Sequence, residues 1–88
     1  MKQLNLQKAQ NKLRIKFLKL GVKMLGPETI YFSKDTKIGK NVVIEPYVVF
    51  GSKVKIGNNV TIKSFSHLEN CKVENKVDIG PYARIRPG

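Results

Sequence analysis

The chain contains a single cysteine, Cys71, and a single histidine, His67. It therefore has no internal disulfide and no Cys/His cluster of the kind a structural metal site needs. No apolar run approaches the roughly 20 residues that cross a bilayer, which excludes a membrane-spanning helix. No hydrophobic leader opens the chain, and with the lone thiol this points to a soluble protein of the reducing cytoplasm. No nucleophile is paired with a base. Acidic residues are missing from residues 1–25, where Lys2, Lys8, Lys12, Arg14, Lys16, Lys19 and Lys23 stand without one Asp or Glu. The remainder carries ten basic and six acidic residues, so most of the formal charge of +11 lies near the start. At 88 residues the chain makes one domain at most, with a core small enough that oligomerisation is the expected support.

Proline and glycine are absent from Gln3 to Leu20, where Leu, Lys and Gln dominate, and the segment reads as a helix. Gly21 takes the place of a C-terminal cap and Pro27 bars early resumption. On a helical wheel Lys8, Lys12, Lys16, Lys19 and Lys23 form one stripe. Leu6, Leu13, Phe17, Leu20 and Met24 form a second face, and Leu4, Ile15, Leu18 and Val22 a third, with Arg14 the main charge interrupting the apolar arc. An arc this wide exceeds the stripe a single partner requires, so the helix is expected to touch two things. The lysine edge reads as solvated. An anionic membrane or RNA is the alternative partner for it, although nothing in the segment reads bases, and no specific nucleic acid is expected.

From Phe32 onward a large apolar residue returns every six positions: Phe32, Ile38, Ile44, Phe50, Ile56, Ile62 and Leu68. One unit is then a residue short, and the beat resumes at Val73, Ile79 and Ile85. A smaller class follows four positions after these residues: Thr36, Val42, Val48, Val54, Val60, Ser66, Val77 and Ala83. Gly39, Gly51, Gly57 and Gly80, with Asn41, Asn58 and Asn59, mark the corners. A period of six fits neither a helix nor a flat strand and is the signature of a parallel β-helix, in which three short faces close one turn of a triangular prism. The expected fold is mainly β: an N-terminal α-helix followed by about three coils of prism. The expected division is a helix over 1–25, a connector over 26–31 and an incomplete β-helix over 32–88.

Two segments are more specific than the repeat. Gly21-Val22-Lys23-Met24, with Pro27-Glu28-Thr29 and Asp35-Thr36, resembles the hinge where a linker helix enters the hexapeptide domain of the bifunctional N-acetylglucosamine-1-phosphate uridyltransferase/glucosamine-1-phosphate N-acetyltransferase family. The segment Ile79-Gly80-Pro81-Tyr82-Ala83-Arg84-Ile85-Arg86-Pro87-Gly88 is similar to that family's characteristic stretch, usually written with Phe at the tyrosine and Leu between the arginines. The resemblance implies a left-handed prism, a trimer with acetyltransferase sites between subunits, and a product, UDP-N-acetylglucosamine, that feeds bacterial cell-envelope synthesis. It carries one substrate-binding residue across, Arg86, which matches an arginine contacting the sugar-phosphate or UDP-sugar ligand. A guanidinium fork suits phosphate oxygens. Arg84 is expected to point the other way.

The resemblance also marks what does not match. The family's nucleotidyltransferase domain, with its Mg2+ ligands, has no counterpart, and neither do the catalytic histidine and the acetyl-CoA groove of its later coils. His67 does not align with that histidine and reads as a surface or turn residue, and Cys71 as a half-buried thiol of the short unit. No catalytic, cofactor or metal residue is therefore assigned. The expected function is that of a truncated, non-catalytic fragment of the bifunctional enzyme, whose uncovered last turn favours self-association or a covering partner. The alternative is the N-terminal piece of a split acetyltransferase completed by a separate C-terminal part.

Overall fold

The computed structural model describes residues 2–86, with side chains from Leu6 onward. Pro87 and Gly88, which close the family-like segment, and the Leu4 side chain of the third helix face lie outside the described residues. One α-helix, α1 (Lys2–Lys19), is followed by ten strands of two or three residues. In chain order they are β1 (Lys23–Met24), β2 (Lys37–Ile38), β3 (Val43–Ile44), β4 (Val49–Phe50) and β5 (Val54–Ile56). Then come β6 (Thr61–Ile62), β7 (His67–Leu68), β8 (Cys71–Val73), β9 (Asp78–Ile79) and β10 (Arg84–Ile85). They form three parallel sheets, β1-β3-β6-β9, β2-β5-β8 and β4-β7-β10, which are the three faces of a prism.

Register explains the hexapeptide beat. Lys37 pairs with Lys55, Val43 with Thr61 and Val49 with His67, so one turn takes three units of six. After the short unit Val54 pairs with Cys71, Thr61 with Asp78 and His67 with Arg84, one residue fewer per turn. Cys71 thus inherits the small inward position of Val54, and it is half-buried. Both inward classes read from the sequence fill the core. Ile44, Ile62, Leu68, Val42, Val48, Val54 and Val60 are fully buried, and Thr36 and Ser66 nearly so. From Val42 onward each small residue follows a corner residue with positive φ: Asn41, Tyr47, Lys53, Asn59, Phe65, Asn70, Lys76 or Tyr82.

The solenoid has about four turns rather than the three expected from Phe32. Lys23–Met24 pairs with Val43–Ile44, and Tyr31 bridges Val49, so residues assigned to the helix and connector already form rungs. The helix itself closes at Gly21, where Gly21 N donates to Leu18 O (3.1 Å) and Val22 N to Phe17 O (3.0 Å). That leaves Val22 and Met24 free to turn into the core, where both are buried.

α1 lies over the first turn and supplies what a preceding rung would. Tyr31 bonds down the stack, its N to Val48 O and its O from Phe50 N. In an extended strand the neighbouring residues aim their polar groups the opposite way. Gln10 meets those of Phe32 with both ends of its amide: Nε2 donates to Phe32 O and Oε1 accepts from Phe32 N, each at 2.8 Å. Arg14 Nε donates to Ile30 O at 3.0 Å and Nη2 to Glu28 O at 3.3 Å, with the guanidinium 5.0 Å from the Tyr31 ring centre. Phe17 then continues the internal aromatic column, 4.6 Å from Phe32, which stacks on Phe50 at 5.1 Å. Ile15 and Leu18 stay exposed on the flank of α1 beside Arg14, Pro27 and Glu28, so among the described residues this part of the apolar arc is left uncovered.

Candidate functional site

The site begins with the third face of the prism. Phe50, Leu68 and Ile85 point inward there, which sends the residues on either side of each outward. The register stacks Val49, His67 and Arg84 in one outward column. Glu69 N bonds to Ile85 O at 2.8 Å, which sets Arg86 beside Glu69 in the next column. A shallow recess of ≈ 220 Å³ results, lined by His67, Glu69, Arg84, Ile85 and Arg86.

Arg86, the residue assigned to substrate binding, is exposed at this recess. Arg84 is there as well, contrary to the expectation that it points away. The two arginines are two positions apart with inward Ile85 between them, and in a strand such residues share a face. His67 is half-buried and sits in the recess rather than apart from it, although its sequence context marks it only as a surface or turn residue. The signal that could have found this grouping was the shortened turn. Counting one turn less a residue from His67 and Glu69 lands on Arg84 and Arg86.

The chemistry of the recess is that of an anion receptor. Two guanidinium forks and an imidazole face one carboxylate, and each fork can hold two oxygens of a phosphate or carboxylate. The described residues gather no group of three or more His, Cys, Asp and Glu side chains that could hold a metal ion. Cys71 lies on another face, where burial pushes its thiol pKa up against a smaller opposing pull from a backbone hydrogen bond at Glu69. No helix among the described residues is long and apolar enough to cross a membrane.

Comparison with known proteins agrees with the fold. The bacterial transferase hexapeptide family (six repeats) matches residues 35–70. Over 79 residues the chain is 52% identical to the bifunctional protein GlmU of Zymomonas mobilis subsp. mobilis, a match covering 90% of this chain and 18% of the relative. It is 46% identical over 79 residues to the bifunctional protein GlmU of Jannaschia sp., covering 90% of this chain and 17% of the relative. Against the bifunctional protein GlmU of Wolbachia pipientis it is 48% identical over 77 residues, with 88% and 18% covered. The chain thus spans less than a fifth of the length of these relatives. It is a hexapeptide-repeat solenoid, and the resemblance read from its helix–prism hinge and arginine segment extends over almost all of its length.

Proposed function

We propose that this chain is the entry section of a GlmU-like acetyltransferase prism and that it is non-catalytic by itself. In this reading it holds the phosphate end of a sugar-phosphate or UDP-sugar through Arg86, with Arg84 alongside. The single observation that carries the proposal is the pair of arginines lining one recess, in a chain about half identical to the bifunctional relatives over 79 residues. The recess offers charge recognition.

The same reading makes the chain part of a trimer, with the ligand completed by residues from a neighbouring prism or from further coils. The product would be UDP-N-acetylglucosamine, destined for the bacterial cell envelope. A second reading rests on the small share of each relative that is matched: a separately encoded piece could supply later coils and turn the recess into a composite active site.

The test is calorimetric titration with UDP-N-acetylglucosamine and with glucosamine 1-phosphate, paired with an acetyl-CoA turnover assay. The expected result is weak, salt-sensitive binding without turnover. Arg86→Ala should weaken binding on the order of 10- to 100-fold, the value of a charge-assisted bidentate contact. Turnover by the chain alone, or binding that Arg86→Ala leaves unchanged, would overturn the proposal.

A further inference from the structure

A second charged surface lies on a different face, away from the arginine recess. In the β2-β5-β8 sheet Lys37 stands directly opposite Lys55, and Lys55 opposite Lys72. Three exposed lysines therefore stack one strand spacing apart, about 4.8 Å. Like charges directly opposite in a sheet oppose its formation. The corresponding outward columns on the other faces are mixed: Lys23, Val43, Thr61 and Asp78 on one, Tyr31, Val49, His67 and Arg84 on the other.

The surroundings concentrate the charge further. Lys53, at a corner with φ 57, lines the same recess of ≈ 530 Å³ with Lys37, Lys55, Lys72, Asp35, Asn70 and Cys71. The carboxylate of Asp35 is engaged there, its Oδ2 accepting the Lys53 backbone N–H at 3.0 Å. Glu74 does not line this recess; it lines an adjoining one of ≈ 340 Å³ that also touches Lys37, Lys55 and Lys72. Four ammonium groups thus line a shallow trough along the prism axis.

We propose that this face binds a linear phosphate polyanion of the inorganic polyphosphate kind. The trough has no aromatic ring on which a base could stack and no arginine fork for planar recognition. Its wall exposes no large apolar side chain that would enter a lipid layer. What remains is a row of compact, flexible point charges. These match a ligand whose sole recognition feature is negative charge repeated along a line. The flexible ammonium groups can settle on successive phosphoryl oxygens, and binding relieves the repulsion within the ladder.

The test uses the full chain and long-chain inorganic polyphosphate, titrated at several salt concentrations. Lys37→Gln, Lys55→Gln and Lys72→Gln are combined in one variant. A control with the same loss of charge combines Lys8→Gln, Lys12→Gln and Lys19→Gln on exposed positions of α1. The face variant should lose at least about tenfold in affinity near 0.1 M salt. Its slope of log K against log salt should fall by about 2, from three phosphate contacts at ~0.7 each. The helix control should change affinity by less than about threefold. At low salt the face variant should melt at or above the wild-type temperature, because a repulsive ladder has been removed.

Equal losses in the two variants would show that net charge alone is at work and would overturn the proposal, as would no binding by the wild type. Tighter binding of poly-glutamate, single-stranded RNA or anionic vesicles through the same lysines would overturn the choice of polyphosphate. A face variant that melts below the wild type at low salt would refute the repulsive ladder on which the proposal stands.

Discussion

Replacing Gln10 by Leu keeps the side chain's approximate size and its place on α1 while removing both arms of the amide. Phe32 N and Phe32 O then lose their 2.8 Å partners in a region where Phe32 is 4% exposed and Gln10 7%. Each stranded buried group costs about 1–3 kcal/mol, and Leu recovers part of this through its own burial. The net loss should be about 2–4 kcal/mol, a fall in Tm of roughly 10–30 °C for a domain of this size. Urea titration followed by far-UV circular dichroism, with thermal melts on the same samples, measures it. Lys12→Gln, exposed on α1, should stay within about 0.5 kcal/mol and controls for helix propensity.

Gln10→Glu sharpens the prediction. An ionised carboxylate can accept from Phe32 N but faces Phe32 O with no proton to donate, whereas the protonated acid reproduces both hydrogen bonds. The folded-state pKa of the new acid is therefore raised above its unfolded value. Its contribution is fully present below the unfolded pKa and is lost as pH rises through the folded one. Relative to wild type, the variant should gain stability on acidification. If Gln10→Leu stays within 0.5 kcal/mol of wild type and Gln10→Glu shows no such pH dependence, α1 is not substituting for a rung.

Gly57→Ala should lower stability by about 1–3 kcal/mol in the same denaturation assay, because the new Cβ would lie 2.9 Å from Asn75 N and 3.0 Å from the Glu74 carbonyl carbon. Phe65 stacks between Tyr47 at 5.2 Å and Tyr82 at 5.3 Å on an outer corner, so Phe65→Ala should cost about 1–2 kcal/mol despite its exposure. A cost below about 0.5 kcal/mol would mean that the outer aromatic column contributes nothing. The raised pKa of Cys71 favours the neutral thiol in the fold, a contribution present below the unfolded pKa and lost as pH rises through the folded one. Alkylation at pH 8 should accordingly be slower in the native chain than in urea, and equal rates would refute the burial of the thiol.

The hexapeptide beat determined the prism and its core because the interior of a three-sided solenoid admits only two kinds of side chain at fixed offsets. Ile44, Ile62 and Leu68 fill it, Val42, Val48 and Val60 line its corners, and their positions follow from the period alone. The period also made Cys71 legible as the occupant of a shortened unit. The arginine segment was legible too, although the orientation of Arg84 was misread by one step of strand alternation. A wheel showed that α1 had more apolar arc than one contact needs, but it could not show where the helix docks.

Tertiary structure alone decided that Gln10 and Arg14 are buried, since their partners are backbone groups of Ile30 and Phe32 that have no rung above them. It also decided which outward residues become neighbours. His67 meets Arg84, and Lys37, Lys55 and Lys72 form one ladder, because a parallel stack joins residues a whole turn apart. The repeat specifies the inside through volume, which is local to each unit. The outside is specified by register, which exists only once the turns are stacked.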